Sequence, residues 1–142
     1  MRYSYEVSEV TDTDTLSEVR MAAKRFAERA GEYDRDGSFP KENIADLKSA
    51  SLMSVSIPSS SGGKRLSLRS LSSMAELLAS GCLSTGMIWA MHIQQVEVLI
   101  HQGQHDVSEH LLSRLQEEQP LIASVTTEKG KGGTCSRPKV RW

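Results

Sequence analysis

This sequence predicts a mainly α fold: a five-helix bundle followed by one β-strand and an irregular tail. Three observations carry that expectation. Apolar residues recur at helical spacing in successive stretches between Thr15 and Gln116. Aromatic residues are only 5% of the chain, so its core must be built from Leu, Ile, Val, Met and Ala, which suits helix packing. From Leu121 β-branched residues become frequent and alternate with others, so a strand period replaces the helical one. A length of 142 residues suffices for one domain with a real core, or for one domain plus a fragment of a second.

The first helix is predicted to begin near Thr15, where Thr15 and Glu18 have capping-box spacing. Leu16, Val19, Ala23, Phe26 and Ala30 form its apolar stripe, and Gly31 with Asp34-Arg35-Asp36-Gly37 ends it. Pro40 opens a short second helix, with Glu42 in its first turn and Ile44, Leu47 and Leu52 on its buried side. Met53 to Pro58 reads as extended chain, and Ser59-Ser60-Ser61-Gly62-Gly63 as an ordered connection. Ser67 caps a third helix carrying Leu68, Leu71, Ala75, Leu78 and Cys82. Ser84 caps a fourth that stops at Gly103; Met87, Ile88, Met91, Val96, Leu99 and Ile100 cover most of its circumference, predicting a central helix. The fifth runs from about His105 to Gln116 on Val107, Leu111, Leu112 and Leu115, and Pro120 stops it.

From Leu121 to Thr127 a strand is predicted, followed by Gly130-Lys131-Gly132-Gly133 and a polar, basic tail. One strand leaves its backbone groups without partners, so the sequence starts a β-structure that it does not finish. The expected organisation is a flexible segment at 1–13, a helical domain at 14–119, the start of a β-domain at 120–133 and an irregular tail at 134–142.

Composition narrows the function. A net charge of −1 lacks the basic excess that nucleic-acid binding requires. Met1 to Thr13 contains no apolar run and cannot be a secretory signal. The most apolar stretch, Leu83 to Ile100, contains His92, Gln94, Gln95 and Glu97, which argues for a buried helix and against a membrane span. Cys82 and Cys135 make no disulfide framework and read as free thiols of a cytoplasmic protein. His101 and His105 flank Gly103 with no third ligand nearby, so no metal site is expected. Lys64-Arg65 with Arg69 reads as a solvated basic cluster. The spacing around Gly130-Lys131-Gly132-Gly133-Thr134 is wrong for a phosphate loop of the nucleotide-binding kind.

Four junctions resemble one family when taken in order. Asp36-Gly37-Ser38-Phe39-Pro40-Lys41-Glu42 resembles the D-x-x-F-P-x-E lead-in to the second helix of acyl-CoA dehydrogenases. Ile57-Pro58 with Gly62-Gly63 resembles their V-P-x-x-Y-G-G loop, and Cys82-Leu83-Ser84-Thr85 their C-x-S-T lead-in to the central helix. Thr126-Thr127-Glu128-Lys129-Gly130-Lys131-Gly132-Gly133 resembles their T-E-P-x-A-G-S flavin loop. Departures are Ser59-Ser60-Ser61 in place of charged and aromatic residues, Lys129 at a usual Pro, and Gly133 at a usual Ser. Beyond Gly133 the likeness fades, and a truncated product or changed reading frame is expected there.

The resemblance implies an FAD-dependent oxidoreductase of the kind used in fatty acid metabolism, acting on an acyl-CoA or similar acyl thioester. It implies a homo-oligomer for the full-length protein. It places the catalytic base in a carboxy-terminal helical domain not seen in this sequence, so no catalytic residue is assigned here and the chain alone is expected to be inactive. By position it assigns the flavin to Ser124, Thr126, Thr127, Gly132 and Gly133. Taken without it, the same residues are a strand and a turn. Trp89, Met91 and Gln95 on the central helix are candidates to line the acyl channel, with core packing as the competing reading for each. A flavin monooxygenase of the same fold and a non-enzymatic helical interaction module are the alternatives.

Overall fold

The computed structural model describes residues 9–102 and 105–123, with side chains for 13–101 and 110–123. Five α-helices follow one another: α1 (Glu9–Asp36), α2 (Lys41–Ser49), α3 (Leu68–Gly81), α4 (Leu83–Gln102) and α5 (His105–Glu118), with a 3-10 turn at Ser59–Ser61. Among the described residues there is no strand. α1 packs along α3 and α3 along α4, while smaller contacts join α1 to α2, α4 to α5, and α5 to the 3-10 turn. The main core joins Val19 and Phe26 of α1, Leu47 of α2, Met74 and Leu78 of α3, and Trp89 and Ile93 of α4. Each large apolar side chain in it contributes about 1.5–3 kcal/mol by leaving water. A smaller core of Ile57, Val96, Leu112 and Leu115 lies between α4 and α5.

The first helix is longer than its capping pattern predicts. It begins at Glu9, ahead of Thr15, in an acidic stretch suited to the positive end of a helix. Thr15 is buried inside it, and its hydroxyl accepts from Lys64 Nζ at 3.0 Å. Gly31 does not interrupt it. Glycine costs about 1 kcal/mol relative to alanine inside a helix, and the next turn offsets that by burying Tyr33, whose hydroxyl donates to Glu42 Oε2 at 2.6 Å. Gly37, at φ 61°, then takes the left-handed conformation that stops the helix.

Residues 52–57 correct a second expectation. They form successive turns and bends instead of extended chain, and all six are buried, polar and apolar alike. Buried carbonyls need donors, and each has one here. The Trp89 indole serves Leu52, His92 serves Met53, and Ile57 N–H serves Ser54. Leu66 N–H serves Val55, the Arg65 guanidinium serves Ser56, and Arg65 N–H serves Ile57. Gly63 closes the loop because any Cβ there would lie 2.1 Å from the Ile57 carbonyl oxygen. Arg65 and Lys64 are therefore structural donors, not a solvated cluster; Arg65 also pairs with Glu97 at 2.9 Å.

Ser67 caps α3 as expected, its hydroxyl accepting from Ser70 N–H. Leu68, however, is exposed. Ser84 lies within α4, not at its cap, because the helix starts one residue earlier at Leu83, after Cys82. α4 is also less enclosed than predicted, since Met87 and Met91 are 57% and 52% exposed. After α5, Leu121–Ala123 continue without regular structure; the rest of the predicted strand, Ser124 to Thr127, lies outside the described residues.

Candidate functional site

α4 has two unlike faces. Trp89, His92, Ile93 and Val96 fall on one side at helical spacing and are buried. Leu83, Met87, Met91 and Val98 fall on the other and are open. Of the candidate channel residues, Met91 sits on the open face with half-buried Gln95 one turn on, whereas Trp89 is 1% exposed in the core. Its indole N–H donates to the Leu52 carbonyl at 2.9 Å. Met91 and Gln95 are thus brought together and Trp89 is separated from them. Ser124, Thr126, Thr127, Gly132 and Gly133 lie outside the described residues.

A polar network fixes the first turn of α4 against α1 and α2. Thr85 is fully buried, and its hydroxyl accepts from Asn43 Nδ2 at 2.9 Å. Asn43 Oδ1 and Asp46 Oδ2 both accept from Arg29 Nη1 at 2.9 Å. The hydrogen bond to Asp46 holds the guanidinium above its ordinary pKa. Burial pushes the Cys82 thiol up, but bonds to Ser84 and Thr85 outweigh it and leave a net downward shift. The Cys-Leu-Ser-Thr landmark is therefore a joint: its Thr plugs a buried amide, and its Cys sits where the helix begins.

His92 is a further polar group inside the body, with no exposure. Its Nε2 is 2.8 Å from the Met53 carbonyl, which can only accept. Its Nδ1 accepts from Ile122 N–H at 3.1 Å. Together these require the neutral tautomer with the proton on Nε2. Burial depresses the imidazole pKa, and the positive charge of Lys48 pushes the same way; the Met53 bond opposes them. Sequence reasoning gives His92 no role beyond excluding a membrane span. The signal was available, because His92 falls one helical turn after Trp89, on the same side as Ile93 and Val96.

Two shallow grooves cross the surface. One, of about 560 Å³, lies between the ends of α1 and α2 and is lined by Arg29, Glu32, Tyr33, Ser38, Phe39, Lys41 and Glu42. Burial and the bond to Glu42 push the Tyr33 phenol up to about 12, so it is a fixed donor there. The other, about 360 Å³, lies between α1 and α3. Among the described residues no group of three or more His, Cys, Asp or Glu could hold a metal, and no helix is long and apolar enough to cross a membrane.

This helical body has a buried turn-rich loop and a central helix open on one side. The acyl-CoA dehydrogenase N-terminal domain model matches residues 13–119, and the chain belongs to the acyl-CoA dehydrogenase family. Cyclohexane-1-carbonyl-CoA dehydrogenase of Geobacter metallireducens is 30% identical over 91% of this chain and 33% of its own length. Cyclohex-1-ene-1-carbonyl-CoA dehydrogenase of the same organism is 27% identical over 89% of this chain and 34% of its own. A probable mitochondrial medium-chain specific acyl-CoA dehydrogenase 2 of Caenorhabditis briggsae is 29% identical over 90% and 33%. The chain therefore spans about a third of the length of these relatives.

Proposed function

We propose that this chain is the helical part of an FAD-dependent oxidoreductase that desaturates the CH–CH bond next to the carbonyl of an acyl-CoA. The observation that carries this reading is the family match across residues 13–119. The relatives' names support the substrate class, since each describes a dehydrogenase of an acyl-CoA. Bound FAD supplies the hydride acceptor for the β-hydrogen once a carboxylate has taken the α-proton. The described residues fit a wall for such a site: the open side of α4 offers Met87 and Met91, flexible apolar side chains that suit an acyl chain. Gln95, one turn beyond Met91, adds a polar edge to that wall. Trp89 supports it from behind by holding α4 to the Leu52 loop.

In this reading Ser124, Thr126 and Thr127 would hold the flavin ring, and Gly132 and Gly133, having no side chains, would leave room for the diphosphate. The active enzyme is a cytoplasmic homo-oligomer. The 142 residues by themselves hold FAD weakly and turn over no acyl-CoA, because the catalytic base belongs to another domain of the family.

The test is a chimera that joins this chain, through Ile122, to the remaining domains of the cyclohexane-1-carbonyl-CoA dehydrogenase. It is expected to purify yellow and to bleach anaerobically with an acyl-CoA. A folded but colourless chimera would overturn the flavin reading and leave a helical interaction module in its place.

A further inference from the structure

Three separate stretches of chain meet at His92. The ring sits on α4, one nitrogen holds the buried loop at Met53, and the other holds Ile122, where the chain leaves α5. The neighbours of that last bond make it informative. Leu121 packs against the main core, whereas Ile122 packs against the smaller core between α4 and α5. Two consecutive side chains therefore straddle two apolar clusters. Apolar burial is non-directional, so it permits the segment to slide between neighbouring positions. A slip of one residue in an extended segment exchanges which side chains face which way. A single directed bond to one backbone N–H removes that freedom.

We propose that His92 is a positioning residue, whose ring is oriented by the Met53 carbonyl so that Nδ1 sets the register of the Leu121–Ile122 segment as it leaves the helical body. The tautomer matters. Only with its proton on Nε2 can the ring donate to Met53 and accept from Ile122 at once. The loop thus does more than fill the core: its Met53 carbonyl selects the acceptor state of the opposite ring nitrogen. Ser124, Thr126 and Thr127 lie two, four and five residues beyond Ile122 in the sequence. That this register serves a flavin rests on the function proposed above; the anchor itself does not.

Two substitutions separate the ring's two roles. In His92→Asn the amide oxygen can stand near the position of Nδ1 and keep accepting from Ile122, while the bond to Met53 is lost. In His92→Gln the amide nitrogen can reach the position of Nε2 and keep donating to Met53, while the acceptor for Ile122 is lost. Backbone amide exchange of the full chain should show Ile122 exchanging about tenfold faster in His92→Gln, as expected for one lost hydrogen bond. In His92→Asn it should stay within about threefold of the unsubstituted chain. A filler role predicts similar acceleration in both, and that result, or no acceleration in either, would overturn the assignment.

A measurement on the unsubstituted chain covers the case in which neither variant folds. The imidazole nitrogen resonances should show Nε2 protonated and Nδ1 bare at neutral pH, with scalar coupling between Nδ1 and the Ile122 amide nitrogen across the hydrogen bond. A protonated Nδ1, or no such coupling, removes the anchor. Neither readout involves flavin. A failed anchor therefore leaves the chimera test untouched, and a colourless chimera leaves the anchor standing.

Discussion

The two sides of α4 show how one helix answers to two different neighbours. Its inner side carries Trp89, His92, Ile93 and Val96, and both polar groups there have a named backbone partner. Its outer side carries Leu83, Met87, Met91 and Val98, just as apolar in composition but open. Hydrophobicity alone does not distinguish them. What distinguishes them is polar satisfaction: the inner side pairs an indole and an imidazole with carbonyls of the 52–57 loop, which fixes it in one arrangement. The outer side is apolar surface without a directed bond, the character of a face made to meet something adaptable.

The largest effect expected from testing that comparison is at Trp89. Replacing it by alanine opens a cavity in the main core and leaves the Leu52 carbonyl without its donor. A loss of about 3–5 kcal/mol follows for a buried aromatic of this size, read as a fall in the denaturant midpoint. A residue that lined an acyl channel would instead tolerate truncation at a cost of about 1 kcal/mol or less. The size of the loss therefore decides between the two roles that the sequence leaves open for Trp89.

Much of the helical body is legible because it is periodic. The stripes Val19–Phe26, Ile44–Leu47 and Leu71–Leu78 are buried where their spacing puts them. The fifth helix is expected over His105–Gln116 and is found at His105–Glu118. The failures share a cause. Thr15 and Ser84 carry capping chemistry but lie within helices, because a local pattern cannot show that Lys64 claims the Thr15 hydroxyl or that Cys82 shifts the start of α4. The 52–57 loop has the alternation of a strand, yet most of its donors, Trp89, His92, Arg65 and Leu66, lie outside the loop. Counting apolar residues around α4 could not reveal which side stays open, since Met and Leu serve both. The candidate site was legible only as a resemblance, and the residues which that resemblance assigns to a flavin lie outside the described residues.

A smaller, graded effect is expected from pH. His92 is buried neutral and its folded pKa is depressed, chiefly by burial. In the unfolded chain an imidazole titrates near ~6.5. Between those two values the unfolded state binds more protons than the folded one, so stability rises with pH across the window. The contribution is complete above the unfolded value and is lost as pH falls toward the folded one. Lys48 adds to the depression, so Lys48→Gln should narrow the window from below. Thermal melts between neutral and mildly acid pH should show the loss in the unsubstituted chain and its disappearance in His92→Asn. A loss of equal size in both would assign it to other groups.

The smallest effect on folding, and the sharpest contrast, belongs to the outer side. Met91→Lys places a charge on a position already 52% exposed, and surface substitutions of that kind fall within about 0.5 kcal/mol. Its consequence should appear in association instead, because an open apolar stripe invites contact with another surface. Sedimentation of the unsubstituted chain should show self-association that rises with concentration and weakens in Met91→Lys. The same lysine at Ile93, two residues away on the inner side, has no water to reach and should unfold the protein. If Met91→Lys instead proved as destabilising as Ile93→Lys, the outer side would have to be covered in solution by a second copy tightly enough to count as core. The asymmetry of α4 would then belong to the single chain and not to the molecule that folds.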